Sequence, residues 1–320
     1  MRFAILTSGG DAPGMNACIR AITRTALKIG HKVFGVKSGY EGLMEGILIP
    51  FTRGSVSGII HRGGTILKTS RSEFFMTDEG KDKAVAILEA YKIDALFVIG
   101  GNGSLTGALA LAKKGINVIG LPGTIDNDLA YTDFTIGFDT AVNTATDAIS
   151  NIRDTSSAHD RTTILEVMGR NCGDIAIYSA LAGGAELVLI PEVPLEEDAI
   201  VRSLLEDKKK GKESNIIVKA EGYEKFSVDE LKKIISEKVG LQAQSVILSY
   251  IQRGGSPTAF DRILASRLGA RAVVETVKGN FGTCIGIKNH KIIVIPIDEA
   301  LKMQHYEEEE LFALLKTLAV

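Results

Sequence analysis

Short runs of β-branched and aliphatic residues alternate with amphipathic stretches along most of the chain. The apolar runs with strand composition are 3–6, 32–36, 95–99, 118–121, 163–167, 187–190, 216–220 and 246–248. The stretches with helical periodicity between them are 17–29, 139–152, 196–209, 229–239 and 260–277. Parallel strands need a crossover connection, usually a helix, so this alternation predicts α/β construction with mostly parallel sheets. Two final runs, 283–288 and 291–295, flank Asn289-His290 and predict a hairpin.

Length and charge limit the classes of function. The chain has 320 residues, enough for two domains, and its net charge of -2 gives no broad reason to bind nucleic acid or an anionic membrane. No apolar run reaches membrane-spanning length, and residues 1–7 lack the pattern of a signal peptide. Cys18, Cys172 and Cys284 are far apart, unlike a disulfide framework. We therefore expect a cytoplasmic protein.

Two glycine-rich segments each follow an apolar run and lead into a helix. They are SGGDAPGMN at 8–16 and GGNGS at 100–104. Loops at the carboxyl ends of parallel strands converge, and their backbone N–H groups and helix dipoles attract phosphate. One such loop is as often a plain turn, but two suggest a nucleotide. Neither has a Walker A lysine or a complete dinucleotide fingerprint.

A third loop, PGTIDND at 122–128, brings two carboxylates together after a strand. If the segment is extended, Asp126 and Asp128 point to the same side. Beside a phosphate site this pair suits phosphoryl transfer, with one carboxylate as base and the other near Mg²⁺. The alternative is an Asp-rich turn whose side chains cap their own backbone.

Five motifs in this order resemble the bacterial ATP-dependent 6-phosphofructokinases. They are GGDAPGMN at 9–16, GGTILKTSR at 63–71, PGTIDND at 122–128, EVMGR at 166–170 and IQRGGSP at 251–257. The resemblance implies a phosphofructokinase-like fold of two three-layer α/β/α domains with mostly parallel sheets. It places a larger, ATP-binding domain at 1–138 plus 251–304, and a smaller, sugar-phosphate-binding domain at 139–250 plus 305–320.

The resemblance also implies the reaction: Mg²⁺-assisted transfer of a phosphoryl group from ATP to the C1 hydroxyl of fructose 6-phosphate, with Asp126 as general base. The implied catalytic residues are Asp126, Thr124, Asp128, Arg71 and Arg170. The implied ATP-binding residues are Gly10, Tyr40, Arg71, Ser72, Gly101, Asn102, Gly103 and Ser104. The implied sugar-phosphate residues are Thr124, Ile125, Asp126, Arg161, Met168, Gly169, Arg170, Glu221, Gln244, Tyr250 and Arg253. Asn102 and Asp128 are the implied metal ligands.

Two further properties come from the same resemblance. Pyrophosphate-dependent relatives carry an acidic residue in place of Gly103 and a lysine in place of Gly123, so the glycines imply ATP as donor. A homotetramer with an effector site for ADP or phosphoenolpyruvate is also implied. The effector positions are Arg20, Arg24, Arg53, Arg153, Gly184, Glu186, Lys210 and Lys212. Without the resemblance these side chains would be interpreted as a solvated basic face.

Three substitutions depart from the family pattern. Asn102 replaces an aspartate, Gln244 replaces an arginine contributed by a neighbouring subunit, and Tyr250 replaces a histidine. We expect weaker use of Mg²⁺, partly compensated by Asp128, and weaker binding of fructose 6-phosphate or a different sugar. A catalytically weak paralogue that acts as a sensor or partner subunit is the alternative. A kinase sharing only the second loop, such as an NAD or diacylglycerol kinase, is disfavoured by PGTIDND and EVMGR.

Overall fold

The computed structural model describes residues 1–159, 161–212, 214–304 and 309–318. Tertiary contacts divide the chain into two compact units. Unit 1 consists of Met1–Ile125, Leu129–Thr140 and Arg253–His305, and unit 2 consists of Asp126–Asp128, Ala141–Gln252 and Tyr306–Val320. The domain boundaries given above stay a prediction, and 305–308 and 319–320 of the smaller predicted domain lie outside the described residues.

Unit 1 is built on a seven-stranded sheet. Its strands are β1 (Arg2–Thr7), β2 (Lys32–Val36), β3 (Leu48–Phe51), β4 (Ala95–Gly100), β5 (Val118–Pro122), β10 (Thr283–Lys288) and β11 (Lys291–Pro296). Their order is β11-β10-β5-β4-β1-β2-β3. The five inner strands are parallel, whereas the edge strands β3 and β11 are antiparallel to their neighbours. The predicted hairpin is the pair β10–β11.

Helices cover both faces of this sheet. They are α1 (Met15–Lys28), α2 (Gly39–Met44), α3 (Asp78–Ala90), α4 (Asn102–Lys113), α9 (Ala259–Val277) and α10 (Ile297–Ala300). Ala4 and Leu6 of β1 pack with side chains of α2, α3 and α4, while α1 and α9 pack together against the other face. Because both faces are covered, β1 is apolar at consecutive positions, as is typical of buried parallel strands.

Unit 2 has a smaller, entirely parallel sheet in the order β7-β8-β6-β9. Its strands are β6 (Arg161–Val167), β7 (Leu187–Leu189), β8 (Ile216–Ala220) and β9 (Gln242–Ile247). Its helices are α5 (Phe138–His159, from residue 141), α6 (Asp174–Gly183), α7 (Glu197–Lys209), α8 (Val228–Ile234) and α11 (Glu309–Leu318). Side chains of α7 and α8 pack on one core with Ile164, Leu189 and Ile217. The predicted α/β architecture with mostly parallel sheets is confirmed.

Local signals explain several helix starts. Thr77 caps α3 by accepting a hydrogen bond from Gly80 N at 3.1 Å. Ser227 and Glu230 form a reciprocal capping box at α8, and Thr258 accepts from Asp261 N at the start of α9. Each cap satisfies backbone N–H groups that the first turn leaves without a partner in the helix.

Two strands differ from the sequence prediction, and both are edge strands. The prediction omits β3, which contains Pro50; an edge position tolerates a residue without an N–H group. It places β9 at 246–248, whereas the strand occupies Gln242–Ile247 and begins with polar residues. Parallel pairing with β6 satisfies the backbone here, and an edge strand with partly exposed faces accommodates glutamines.

No helix among the described residues is long and apolar enough to cross a bilayer.

Candidate functional site

Three loops of unit 1 lie side by side because β5, β4 and β1 are adjacent and parallel. Backbone hydrogen bonds extend the strand pairing into the loops. Ser8 N donates to Ile99 O at 3.1 Å, and Gly123 N donates to Gly100 O at 3.1 Å. The glycine-rich segments predicted from the sequence therefore share one edge of the sheet.

The spacing of the loops depends on residues without side chains. A Cβ atom on Gly100 would lie 2.4 Å from Ser104 Oγ and 2.6 Å from Ser8 O. A Cβ on Gly9 would lie 3.3 Å from the same Ser104 Oγ, and Gly9 also has a φ of 84°. At Gly100 a side chain would push the first two loops apart, so the glycine sets their distance.

Two helices begin at this edge. Neither α1 nor α4 has an acidic residue in its first turn, where a carboxylate would offset the positive end of the helix dipole. Gly101, at the start of α4, is followed by the partly exposed Asn102 and the exposed Gly103. The partly exposed start of α4 is suited to a phosphate group, whereas the first residues of α1, Met15 and Asn16, are buried.

The third loop does not have the extended backbone that the sequence analysis assumed. Asn127 adopts a left-handed conformation with φ of 56°, and the chain bends at Ile125 and Asp126. The prediction that an extended backbone points the Asp126 and Asp128 side chains to the same side of the segment is therefore wrong. Asparagine tolerates this backbone better than other residues with a side chain, and the side chains in the loop are held by tertiary contacts.

Asp126 is almost fully buried and lies beside an arginine of unit 2. Arg170 Nε lies 3.2 Å from Asp126 Oδ2, and about half of the Arg170 side chain is exposed. The segment Asp126–Asp128 belongs to unit 2, although it follows β5 of unit 1 in sequence. A carboxylate that contacts a guanidinium at the edge of this loop is a candidate for the general base.

Arg170 is presented by a tightly held loop. Gly169 and Arg170 have φ values of 140° and 54°. Glu221 Oε1 accepts hydrogen bonds from Gly169 N at 3.2 Å and from Arg170 N at 2.8 Å. The backbone of Gly222 approaches so closely that a Cβ would lie 1.9 Å from Arg170 O. A carboxylate and a glycine on the next loop thus fix the EVMGR motif in a strained conformation.

Comparison with known proteins adds to this geometry. Residues 2–276 match the family model described as Phosphofructokinase. The ATP-dependent 6-phosphofructokinase of Clostridium botulinum is 54% identical over 316 residues, which cover 99% of this chain and 98% of that protein.

The chain belongs to the phosphofructokinase family.

Solved structures of the family agree with this assignment. Phosphofructokinase from Saccharomyces cerevisiae has a TM-score of 0.92 and 34% sequence identity; the match covers 98% of this chain and 50% of the yeast chain, so this chain spans about half its length. Pyrophosphate-dependent phosphofructokinase from Marinobacter aquaeolei has a TM-score of 0.84 over 97% of this chain at 24% identity, a likeness in fold alone. The predicted phosphofructokinase-like fold is confirmed.

Three residues expected on the nucleotide side of a phosphofructokinase, Tyr40, Arg71 and Ser72, belong to unit 1. Tyr40 is buried: its ring stacks on Phe75 at 4.0 Å and its hydroxyl donates to Ser104 O at 2.6 Å. Burial raises its pKa, so the hydroxyl remains a donor that supports the second loop. Ser72 Oγ accepts from Phe75 N at 3.2 Å, and Arg71 is exposed.

Arg253, a predicted sugar-phosphate residue, belongs to unit 1 and lies against the first loop. A Cβ on Gly10 would lie 3.2 Å from Arg253 Nη1. The guanidinium therefore lies close to Gly10, and a side chain at that position would require the end of Arg253 to shift. Thr124, also of unit 1, accepts at its carbonyl a 2.7 Å hydrogen bond from Thr135 Oγ1, which anchors the start of the third loop.

Two of the three residues that depart from the family pattern, Gln244 and Tyr250, occupy the edge strand of unit 2 and the turn after it. Gln244 Nε2 donates to Thr163 Oγ1 at 3.1 Å, within the β9–β6 pair. Thr163 Oγ1 in turn is 2.7 Å from the buried Ser156 Oγ. Tyr250 is 74% exposed. Arg161 Nε donates to Gln242 Oε1 at 3.3 Å on the same strand pair.

Four of the predicted effector residues form a cluster in unit 2. The buried Glu186 Oε1 lies 3.1 Å from Arg153 Nη1 and 3.0 Å from Lys212 Nζ. Arg153 Nη2 also donates to Gly183 O and Gly184 O. Lys210 lines a cavity of about 190 Å³ together with Glu186 and residues of α7 and α11.

The remaining predicted effector residues belong to unit 1. Arg20 and Arg24 lie on α1, one turn apart, and Arg53 is exposed after β3. Burial and the neighbouring Arg24 charge lower the pKa of Arg20.

Sequence reasoning missed two buried side chains of unit 2. Gln252 is fully buried, and its Oε1 accepts from Met168 N at 2.8 Å. Asp174 accepts at Oδ2 from Asn127 Nδ2 at 2.8 Å. The sequence signals were that Gln252 lies inside the IQRGGSP motif and that Asp174 is a polar residue at a helix start; no spacing rule connects either one with its partner.

Proposed function

We propose that this chain is an ATP-dependent 6-phosphofructokinase that converts fructose 6-phosphate to fructose 1,6-bisphosphate in glycolysis. The observation that carries the proposal is the convergence of three loops at the carboxyl edge of β1, β4 and β5. Within unit 2, Asp126, which follows Ile125 of the third loop in sequence, is buried and lies 3.2 Å from Arg170. The name of the Clostridium botulinum relative, 54% identical over almost all of both chains, supports the same reaction.

The site residues divide the chemistry as follows. Asp126 accepts the proton of the C1 hydroxyl while the new O–P bond to the γ-phosphorus forms. The bond between the γ-phosphorus and the bridging oxygen breaks, and the electron pair leaves with ADP. A positioned base contributes about 10²–10⁴-fold to the rate. The proton then passes from Asp126 to solvent as the product leaves.

Arg170 has two roles in this proposal. Without substrate it neutralises Asp126 at 3.2 Å, which lowers the cost of the buried carboxylate. With substrate, its half-exposed guanidinium turns to the oxygens of the transferring phosphoryl group, together with Arg71, and leaves the base free. A fixed guanidinium can bind two phosphoryl oxygens at once.

The choice of ATP over pyrophosphate is supported by Gly123 and Gly103. A Cβ on Gly123 would lie 2.8 Å from Ile99 Cγ2 and 3.1 Å from Met15 Cε, so a lysine does not fit there without repacking. Gly103 has open space around its Cα, which leaves room for a larger donor.

The residues for Mg²⁺ fit that ion in donor chemistry. Mg²⁺ in phosphotransferases takes one or two carboxylates plus phosphate oxygens and water. Asp128 offers a carboxylate and Asn102, at the start of α4, an amide oxygen. The described residues contain no cluster of three or more acidic, histidine or cysteine side chains for a metal, so the ion would depend on the substrate's phosphates. When bound, Mg²⁺ neutralises charge on those phosphates.

Assembly and regulation complete the proposal. Exposed apolar side chains on β9 and the turn after it, Ile247, Tyr250 and Ile251, suit a subunit interface of a homotetramer. The cluster of Arg153, Glu186 and Lys212 suits the phosphates of an ADP effector or a phosphoenolpyruvate. A cytoplasmic location agrees with the widely spaced, reduced cysteines.

Steady-state kinetics test the proposed function. Fructose 6-phosphate, tagatose 6-phosphate and other hexose phosphates are compared as acceptors, with ATP and pyrophosphate as donors. We expect ATP and fructose 6-phosphate to give the highest kcat/KM, and Asp126→Asn to lower kcat by about 10³-fold or more. Turnover no faster than that of Asp126→Asn would instead identify a binding protein, and preference for another sugar would correct the substrate.

A further inference from the structure

The loop that carries the proposed base contains a buried asparagine between two aspartates. Asn127 is 3% exposed, and its amide Nδ2 donates to Asp174 Oδ2 at 2.8 Å. Asp174 is 1% exposed and is the first residue of α6, after the cap Gly173. A charge-assisted hydrogen bond between two buried side chains is stronger than a neutral one and is costly to disrupt.

The backbone of Asn127 makes this bond consequential. Its φ of 56° is left-handed, and a left-handed residue turns the chain between Asp126 and Asp128. The turn therefore changes the direction of the Asn127 side chain from the one it would have in an extended segment. In the new direction it contacts the carboxylate of Asp174. Fixing Asn127 fixes the peptide planes on both sides, and hence the start of each aspartate side chain.

The position of Asp174 explains how a buried carboxylate is tolerated there. The N-terminal dipole of α6, ten residues long, stabilises a negative charge in its first turn. A second carboxylate nearby, that of Glu192, is held by Gly173 N at 2.7 Å. Burial, and after it the charge of Asp174, raises the pKa of the neighbouring Cys172 thiol.

We propose that Asp174 is a positioning residue for phosphoryl transfer: through Asn127 it holds the left-handed turn that orients the carboxylates of Asp126 and Asp128. The inference rests on the proposed function, since it assigns Asp174 a role in orienting the proposed base. Asp174 acts through Asn127 and does not itself touch the reacting atoms in this scheme. The Asp126 carboxylate itself is held by its ion pair with Arg170.

Single substitutions at Asn127 and Asp174 are the first test of the proposal. Asn127→Asp places two carboxylates where the hydrogen bond was, and aspartate still tolerates the left-handed backbone. We expect kcat to fall by about 100-fold, with the KM for ATP nearly unchanged, because repulsion between the side chains moves the loop. Asp174→Asn keeps a neutral acceptor, and its kcat should fall by about tenfold or less.

The double variant Asn127→Asp/Asp174→Asn restores one donor and one acceptor in reversed order. We expect its kcat to recover at least tenfold over that of Asn127→Asp. A matched control, Asn127→Asp/Glu192→Gln, has the same formal charge but leaves the two carboxylates facing each other, and it should not recover. Equal recovery in both doubles would show a general charge effect, and no recovery in either would overturn the proposal.

Two measurements separate failures of folding and of the proposed function. If Asn127→Asp does not fold by circular dichroism, Asn127→Gly replaces it, since glycine keeps the left-handed backbone. In that background Asp174→Asn should lower kcat by a smaller factor than it does in the unmodified chain, because the hydrogen bond to Asn127 is absent; a full additive loss would contradict the pair. Asp126→Asn is measured in parallel. If that variant keeps wild-type kcat, the proposed base is wrong, whatever the pair shows.

Discussion

The functional loops of unit 1 and those of unit 2 are held in place by different means. In unit 1 the phosphate loops are defined by backbone: adjacent parallel strands, hydrogen bonds between loops, and glycines such as Gly100 that let them approach. In unit 2 the important loops are defined by buried side chains from distant segments, such as Glu221 and Asp174. Adding a methyl group should therefore damage the first region most, and removing a hydrogen-bonding group should damage the second.

Gly100→Ala is the strongest test of the backbone-defined region. The added Cβ would lie 2.4 Å from Ser104 Oγ and 2.6 Å from Ser8 O. We expect the free energy of unfolding to fall by about 1–3 kcal/mol and the KM for ATP to rise, because the first two loops must separate. Denaturant unfolding and kinetics measure both effects. Gly54→Ala is the control, since its Cβ would meet only Thr52 Oγ1 at 3.5 Å. A Gly100→Ala variant as stable as this control would break the comparison.

Gln252→Met tests the side-chain-defined region with little change in volume. The substitution removes the acceptor of Met168 N and also an Nε2 group that has no hydrogen-bond partner among the residues described. The two effects on stability oppose each other, each worth about 1–3 kcal/mol, so the melting temperature should change little. The KM for fructose 6-phosphate should rise about tenfold or more while the KM for ATP stays constant.

The control for this prediction is Gln304→Met, at an exposed position of unit 1. It should change neither KM. Parallel rises in both KM values of Gln252→Met, together with a lower melting temperature, would indicate a general structural role instead.

Gln244→Arg sharpens the comparison by restoring the family pattern. In the present chain Gln244 Nε2 donates a hydrogen bond to Thr163 Oγ1, so this side chain links β9 to β6 within the sheet of unit 2. An arginine adds a charge-assisted contact to the sugar phosphate in the proposed assembly, and the KM for fructose 6-phosphate should fall about tenfold. Gln244→Met, which removes the internal bond without adding a charge, should bring no such gain. If both variants behave alike in kinetics, position 244 does not contact the sugar phosphate.

Asn102→Asp should have the smallest effect. A carboxylate at the start of α4 is a stronger ligand for a hard cation than an amide, and we expect the Mg²⁺ concentration for half-maximal rate to fall about threefold, equivalent to about 0.6 kcal/mol. A magnesium titration at saturating ATP measures this shift. An unchanged titration would show that Asn102 already serves as well as aspartate.

The features that could be predicted from the sequence are the ones determined by local patterns. Parallel strands and glycine-rich loops are local patterns, so the inner strands of unit 1 and the loops after β1 and β4 were predictable. Edge strands were not, because β3 and β9 are stabilised by pairing on one side and carry Pro50 and glutamines that lower strand propensity. The left-handed Asn127 was also missed, since no local rule distinguishes it from an extended residue.

The sequence by itself determined the family, the order of the motifs and the chemical types at the proposed site, because these depend on residue identity and short spacing. Only the tertiary structure decided which side chains hold the loops of unit 2. Asp174 reaches Asn127 across 47 positions of sequence and Glu221 reaches Arg170 across 51, and such pairs form only after the sheet has brought their segments together. The physical reason is that hydrogen bonds between buried side chains depend on the folded path of the whole chain, whereas a glycine turn is determined by the residues of the turn itself.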